Sequence, residues 1–171
     1  MTSEKRFQSL SIAVLTVSDT RNEDTDTSGK VLVDKLTGAG HSLADKVILP
    51  DDKYRIRAQV AAWIAAEGVQ VVLITGGTGF TTRDITPEAV APLFDKEISG
   101  FGEVFRAVSL KEIGTSTIQS RALGGISNGT LIFCLPGSTG ACKTAWDEIL
   151  QLQLDINNRP CNFVEIMPRL R

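Results

Sequence analysis

The chain has 171 residues, 42% of them hydrophobic and 22% charged, with a formal net charge of −2. That length suits one domain, and the composition is that of a globular protein able to bury a core. The slightly acidic balance argues against a nucleic-acid partner, which would call for a basic excess. No run of 18 or more apolar residues occurs, so no membrane span is expected.

After a polar tail at 1–10, "IAVLTV" at 12–17 reads as a buried first strand. It is too short, and too soon interrupted by Ser18 and Asp19, to be a secretory segment, so a cytoplasmic protein is expected. Ser42–Leu49 is the second strand. Over 52–67, Ile56, Val60, Trp63 and Ile64 fall at i, i+4, i+7 and i+8, one apolar stripe of a helix. Asp51 or Asp52 is placed to cap its start and Gly68 to end it. Val71–Thr75 is apolar without alternation, as a strand covered on both faces would be. "TPEAV" opens another helix, with Thr86 as N-cap, Pro87 at the first helical position and Glu88 in the first turn. Residues 101–111 and 139–154 continue as helices, the latter carrying Trp146, Ile149, Leu150 and Leu154. Between them, strands at 124–127 and Thr130–Leu135 flank Asn128-Gly129, a hairpin signal.

Strands alternating with helices predict a three-layer α/β/α domain with a mostly parallel mixed sheet, decorated by one small antiparallel hairpin. The domain is expected to span 11–163. The proline-bearing end, "NNRPCNFVEIMPRLR", reads as irregular, with 164–171 as a tail. Cys134, Cys142 and Cys161 have neither even number nor zinc or redox spacing, and the lone His41 is remote, so reduced and mostly buried thiols are expected. Lys35, Asp45, Lys46 and Glu67 read as solvated faces.

Ligands of open α/β sheets sit at the carboxyl ends of the strands. Three loops share that position: "PDD" at 50–52, "TGGTGFTTRD" at 75–84 and "PGSTG" at 136–140. A bare strand-to-helix corner needs fewer glycines than the three at Gly76, Gly77 and Gly79. Without side chains, successive backbone N–H groups at 75–79 can close on an anion, which marks a phosphate cradle. The dinucleotide pattern G-x-G-x-x-G is missing its third glycine, because Phe80, Thr81 and Thr82 follow Gly79. "GSTGACKT" at 137–144 approaches a P-loop but has Cys142 where glycine is needed; Lys143 is read as a helix residue near the site.

Asp51 and Asp84 arrive on one rim from different loops. Together they suit Mg²⁺, which takes one or two carboxylates plus phosphate and water. Taken singly, Asp51 is equally an N-cap and Asp84 an ion-pair partner for a nearby arginine. Arg83 and Arg121 offer forked donors matched to phosphate, and Ser120 and Ser138 offer hydroxyls.

"TGGTGFTTRDITPEA", together with "ILPDD", "IGTSTIQSRALGG" and "LIFCLPGS", closely resembles the molybdenum-cofactor biosynthesis family of MoaB/Mog proteins and the related plant and animal molybdopterin-binding domains. "IRAQVAAWI", "GFGEVFR" and "CKTAWDEI" look most like the MoaB branch. The resemblance implies a trimer, or a hexamer of two trimers, working with other proteins of that pathway. It also implies molybdopterin binding and, in active relatives, transfer of AMP from Mg-ATP to the terminal phosphate of molybdopterin. On that footing Asp51 and Asp84 are the essential aspartates and hold Mg²⁺. Thr75, Gly76, Gly77, Thr78 and Gly79 form the phosphate cradle, Ser120 and Arg121 match the family's S-R motif, and Pro136, Gly137 and Ser138 complete the site. Many relatives have Asn where Ser138 stands. The alternative reading is a carrier or storage oligomer that binds molybdopterin without catalysis.

Overall fold

A computed structural model describes residues 6–171. Within them the chain runs β1 (Ser11–Val17), α1 (Thr27–Gly38), β2 (Ser42–Leu49), α2 (Lys53–Ala65), β3 (Val71–Thr75), α3 (Thr86–Val90), β4 (Lys96–Glu97), α4 (Ser99–Ile113), β5 (Leu123–Ser127) and β6 (Thr130–Leu135). It then continues through α5 (Thr139–Ala145), a π-helical turn at Trp146–Leu150, α6 (Gln151–Gln153) and α7 (Phe163–Ile166). The six strands form one sheet in the order β2-β1-β3-β6-β5-β4. The first four in that order run parallel, β5 runs antiparallel to β6, and β4 antiparallel to β5.

β1, β3 and β6 are apolar along their whole length because helices cover both faces of the sheet. Their odd and even positions divide between two cores. Ile12, Val14, Val71, Leu73, Leu131 and Phe133 face α1, α4 and α5, where Leu32, Leu36, Phe105 and Trp146 meet them. Ala13, Leu15, Val72, Ile74, Ile132 and Cys134 face α2 and α3, meeting Ile56, Val60, Trp63, Ala89 and Val90. The predicted three layers and mixed sheet are therefore present.

The hairpin turn at Asn128 and Gly129 has φ of 48° and 80°, the left-handed pair that a tight two-residue turn requires. The hairpin does more than decorate the sheet, since β6 is an interior strand that pairs with β3 on its other side.

Several local expectations are corrected. Asp52 alone caps α2, accepting from the amides of Tyr54 and Arg55 at 2.9 and 3.0 Å, which leaves the Asp51 side chain for other work. The helix stops at Ala65, and its cap is Ala66 in an extended conformation rather than Gly68. Thr86 does not cap α3: it lies inside the helix, Ile85 precedes it, and its hydroxyl donates to the Gly76 carbonyl at 2.8 Å. Residues expected as an irregular tail form α7, capped by Asn162, whose Val164 is buried in the first core. At the other end Leu10 is also buried in that core, while residues 1–5 of the expected N-terminal tail lie outside the described residues.

Three of the residues read as solvated are engaged instead, Lys35 through an ion pair with Asp147 at 2.7 Å. Lys46 is only 18% exposed at its side chain and pairs with Glu23 at 2.8 Å and Asp26 at 3.2 Å. Asp45 accepts from the Trp63 indole at 3.0 Å. Cys134 and Cys142 are buried free thiols, and Cys161 is exposed. Among the described residues no helix is long and apolar enough to cross a membrane.

Candidate functional site

The chain leaves β1 by α1 to one side of the sheet and returns through α2 to β3 on the other. The crossover opens a crevice at the carboxyl ends of β1 and β3, where ligands of such sheets bind. A cavity of about 550 Å³ occupies that place. Asp51 and Asp84 line it, as do Thr75, Gly76, Gly77, Thr78, Gly79, Ser120, Pro136, Gly137 and Ser138, so residues spread over 88 positions of sequence share one wall.

The glycine loop is built by close approach. Gly76 has φ of 103°, and a Cβ there would lie 2.1 Å from the Val17 carbonyl oxygen. Gly77 has φ of 67°, and its Cβ would meet the Thr86 hydroxyl at 2.4 Å and Asp51 Oδ1 at 3.0 Å. Both positions need glycine for the backbone angle and for the space. Gly79 is held to glycine by Asp84, whose Oδ2 would lie 2.8 Å from a Cβ. The loop is pinned at its base: the Gly76 amide donates to the Leu135 carbonyl at 3.0 Å and the buried Thr75 hydroxyl to the Pro136 carbonyl at 2.9 Å.

The two aspartates stand in different electrostatic situations. Asp84 is partly buried, which alone would raise its pKa. The Thr81 hydroxyl and amide, at 2.7 and 2.8 Å, the Gly79 amide and Arg121 outweigh that and hold its carboxyl below the ordinary carboxylate value. Asp51 is pushed above that value, first by burial and then by the negative charges of Asp19 and Asp84, against the pull of Arg83. The Asp51 carboxylate accepts a hydrogen bond from the Asp19 backbone, which offsets this rise only in part. A small dication between the two would relieve the repulsion between Asp51 and Asp84, so this donor pair fits Mg²⁺. No group of three or more His, Cys, Asp or Glu side chains that could hold a metal ion occurs among the described residues.

The other expected residues are placed less simply. Arg83 lines the cavity, but its Nε–Nη2 edge is bound by Asp19, Nε to Oδ2 at 2.8 Å and Nη2 to Oδ1 at 2.7 Å. Arg121 does not line the cavity. It grips the loop from behind, donating to the Gly79 carbonyl at 2.8 Å and the Asp84 carbonyl at 2.9 Å, pairing with Glu88 and lying 5.3 Å from the Phe80 ring centre. Lys143 is exposed and also lies off the cavity, because its neighbours Cys142 and Thr144 take the inward face of α5. The Ser138 oxygen caps α5, accepting from the Ala141 amide at 3.1 Å.

One rim loop went unnoticed in the sequence. Thr16, Ser18, Arg21, Asp26 and Ser28, from the end of β1 to the start of α1, all line the cavity. Asp26 is buried there, accepting from the Gly29 amide at 2.9 Å and the Thr16 hydroxyl at 2.8 Å. The available signal was positional, since β1 is a parallel strand and its carboxyl end must open on the same rim. At the far end, Phe105, Ser109, Glu112 and Ile113 of α4 close the cavity, with Glu112 accepting from the Thr144 hydroxyl at 2.8 Å.

These features define a doubly wound α/β protein with a glycine-cradled, carboxylate-rimmed cavity at its switch point. Residues 13–155 match the family model described as "Probable molybdopterin binding domain", and the chain belongs to that family. It is 61% identical over 152 residues to molybdenum cofactor biosynthesis protein B of Escherichia coli (strain K12), a match covering 89% of each chain. It is 46% identical over 138 residues to the protein of the same name from Bacillus subtilis (strain 168), covering 80% of this chain and 81% of the other. Among solved structures it superposes on a molybdenum cofactor biosynthesis protein B with a TM-score of 0.88 at 41% identity, covering 97% of this chain and 98% of that one. The tungsten cofactor synthesizing protein MoaB from Pyrococcus furiosus gives a TM-score of 0.73 at 42% identity, covering 84% and 91%.

Proposed function

We propose that this chain works in molybdenum cofactor biosynthesis, the role named for its curated relatives, and that it transfers the adenylyl group of ATP to the terminal phosphate of molybdopterin. In this reaction an oxygen of the molybdopterin phosphate forms a bond to the α-phosphorus of ATP. The bond from that phosphorus to the bridging oxygen of the β-phosphate breaks, and pyrophosphate leaves with the electron pair. A phosphate monoester has its second pKa near 6, so the attacking oxygen is largely unprotonated at neutral pH and no side chain has to take its proton. The absence of histidine from the cavity lining is compatible with such chemistry.

What the protein has to supply is alignment and neutralised charge. With the Gly76 amide given to the Leu135 carbonyl and the Gly79 amide to Asp84, the amides of Gly77 and Thr78 are the ones that would hold a phosphoryl group against the floor made by β3. Asp51 and Asp84 would hold Mg²⁺, which when bound neutralises the polyphosphate. The Thr75 and Thr78 side chains are buried and keep the loop seated on the sheet. Arg121, gripping two loop carbonyls, positions Asp84 and Gly79 without facing the cavity.

The observation that carries this reading is the placement of both carboxylates against the cradle. Asp51 Oδ1 lies 3.0 Å from where a Gly77 Cβ would stand, and Asp84 Oδ2 lies 2.8 Å from where a Gly79 Cβ would stand. The test is to incubate the protein with molybdopterin, ATP and Mg²⁺ and to measure adenylylated molybdopterin and pyrophosphate. Equal amounts of both, lost in Asp84→Asn, support transfer. Molybdopterin binding with neither product, beside an active relative as positive control, makes the protein a carrier instead.

A further inference from the structure

Two arginines line the cavity, Arg21 and Arg83, and they differ in what their guanidinium groups touch. Arg83 is paired with the Asp19 carboxylate through the Nε–Nη2 edge, so its charge already has a partner. Arg21 is exposed and donates through Nη1 to the Thr25 carbonyl at 3.2 Å; no carboxylate pairs with it among the described residues. Its backbone is fixed all the same. The Ser18 hydroxyl accepts from the Arg21 amide at 3.1 Å, and Asn22 Oδ1 accepts from the amides of Asp24 and Thr25 at 3.0 and 3.1 Å. Of the two guanidinium groups in the cavity lining, Arg21 is therefore the one whose charge no carboxylate pairs with among the described residues, and it is carried on a wound loop.

Its position assigns a direction. The cradle lies between the β1 end of the cavity, which carries Arg21, and the α4 end, which carries Phe105, Ser109, Glu112 and Ile113 and no cationic side chain. A polyphosphate tail extending towards α4 would meet the Glu112 carboxylate. Extending towards β1 it meets Arg21, whose planar fork matches phosphate oxygens, and an acid, Asp26, that is buried and already paired with Lys46 at 3.2 Å. We infer that Arg21 binds the β- and γ-phosphates of the nucleoside triphosphate, the part that departs as pyrophosphate, and so orients the nucleotide with its tail over the β1–α1 loop. The assignment rests on the adenylyl-transfer reading for the identity of the nucleotide, but its anion-binding content stands on the lone guanidinium. Negative charge builds on the leaving oxygens as the bond to the α-phosphorus lengthens, so a cation there also favours departure.

Calorimetry with inorganic pyrophosphate, ATP and AMP, each with Mg²⁺, tests this on the wild type, Arg21→Ala and Arg21→Lys. Loss of a charge-assisted hydrogen-bond donor predicts affinity for pyrophosphate and ATP lower by about 10- to 100-fold in Arg21→Ala, with partial recovery in Arg21→Lys. AMP, which lacks the tail, should bind all three proteins within about twofold, and so reports that the variants are folded. Unchanged pyrophosphate affinity in Arg21→Ala, an equal loss for AMP, or a loss seen in Arg83→Ala in place of Arg21→Ala would overturn the assignment. If pyrophosphate binding depends on Arg21 while the wild type forms no adenylylated product, the transferase reading fails and the assignment stands. A wild type that binds neither ATP nor pyrophosphate removes both.

Discussion

Asp19 and Arg83 face each other across the mouth of the cavity, 64 residues apart in sequence, in a two-pronged ion pair with contacts of 2.7 and 2.8 Å. Asp19 Oδ1 also accepts from the Asp51 amide at 3.1 Å. One carboxylate therefore ties together the loops that follow β1, β2 and β3. The pair is exposed and adds little to stability by itself. Its value is geometric, because it fixes the backbone that carries Asp51 and places a negative charge beside it.

That charge has a pH consequence. Asp51 must be ionised to hold a cation, and burial together with Asp19 and Asp84 raises its pKa. The acid limb of the pH–rate profile should therefore lie above the ordinary carboxylate value. In Asp19→Asn the repulsion is removed and Arg83 still favours the charged form, so the limb should move to lower pH. Rates measured across the acidic range check this; a limb that stays put would show that another group controls it.

Asp84→Asn keeps the shape of a side chain already held by Thr81 but removes its charge. Turnover should fall by about 100-fold or more, the scale of losing one preorganised electrostatic contact, with a far smaller change in molybdopterin affinity. Single-turnover kinetics beside direct binding would separate the two effects.

Gly76→Ala should be badly tolerated. The new methyl would sit 2.1 Å from the Val17 carbonyl at a φ of 103°, so β1 and the loop must both shift. Strain and overpacking together predict a destabilisation of about 3 kcal/mol or more, measurable by urea unfolding. Gly100→Ala, where nothing lies within 4 Å of the added carbon, is the matched control.

His41 gives acid an effect on stability, separate from the effect on rate. Its Nδ1 accepts from the Leu10 amide at 3.1 Å, and the ring packs edge-on against Trp146 at 6.1 Å and beside Phe7 at 5.2 Å. Burial lowers its pKa, while the charge of Asp155 partly opposes that. The folded protein then binds fewer protons at this site than the unfolded chain, whose value is near 6.5. Stability from the neutral ring is fully present above the unfolded value and falls as pH drops from there towards the folded one. Unfolding midpoints over that window should decline with acidification, and less steeply in His41→Gln.

Much of the fold could be read locally. Val71–Thr75 was uninterrupted because both its faces are covered, and Asn128-Gly129 announced its turn through the left-handed angles such a turn needs. The glycine loop and both aspartates were visible because their spacing has a chemical reason. The pairings of Arg83 with Asp19 and Arg121 with Glu88 were not, since they join loops remote in sequence and any surface arginine looks alike in one dimension. The β1–α1 loop was missed for a related reason: "SDTRNEDTDTSG" has no special spacing, and only the parallel direction of β1 brings Arg21, Asp26 and Ser28 to the rim. The end of α2 at Ala65 and the π-helical turn at Trp146–Leu150 lay beyond periodicity, which registers a helical face more clearly than its ends or its winding.

The glycine loop borrows its rigidity from its surroundings. Gly76 is bonded to the end of β6 through its amide and to Thr86 of α3 through its carbonyl, and the Gly77 carbonyl accepts from the Thr86 amide at 3.0 Å. On the proposed function, a phosphoryl group arriving there would meet a loop already ordered, so little entropy would be lost on docking. What such a protein accepts could then be retuned by exchanging the outer loops, whereas altering this loop means rebuilding the sheet beneath it.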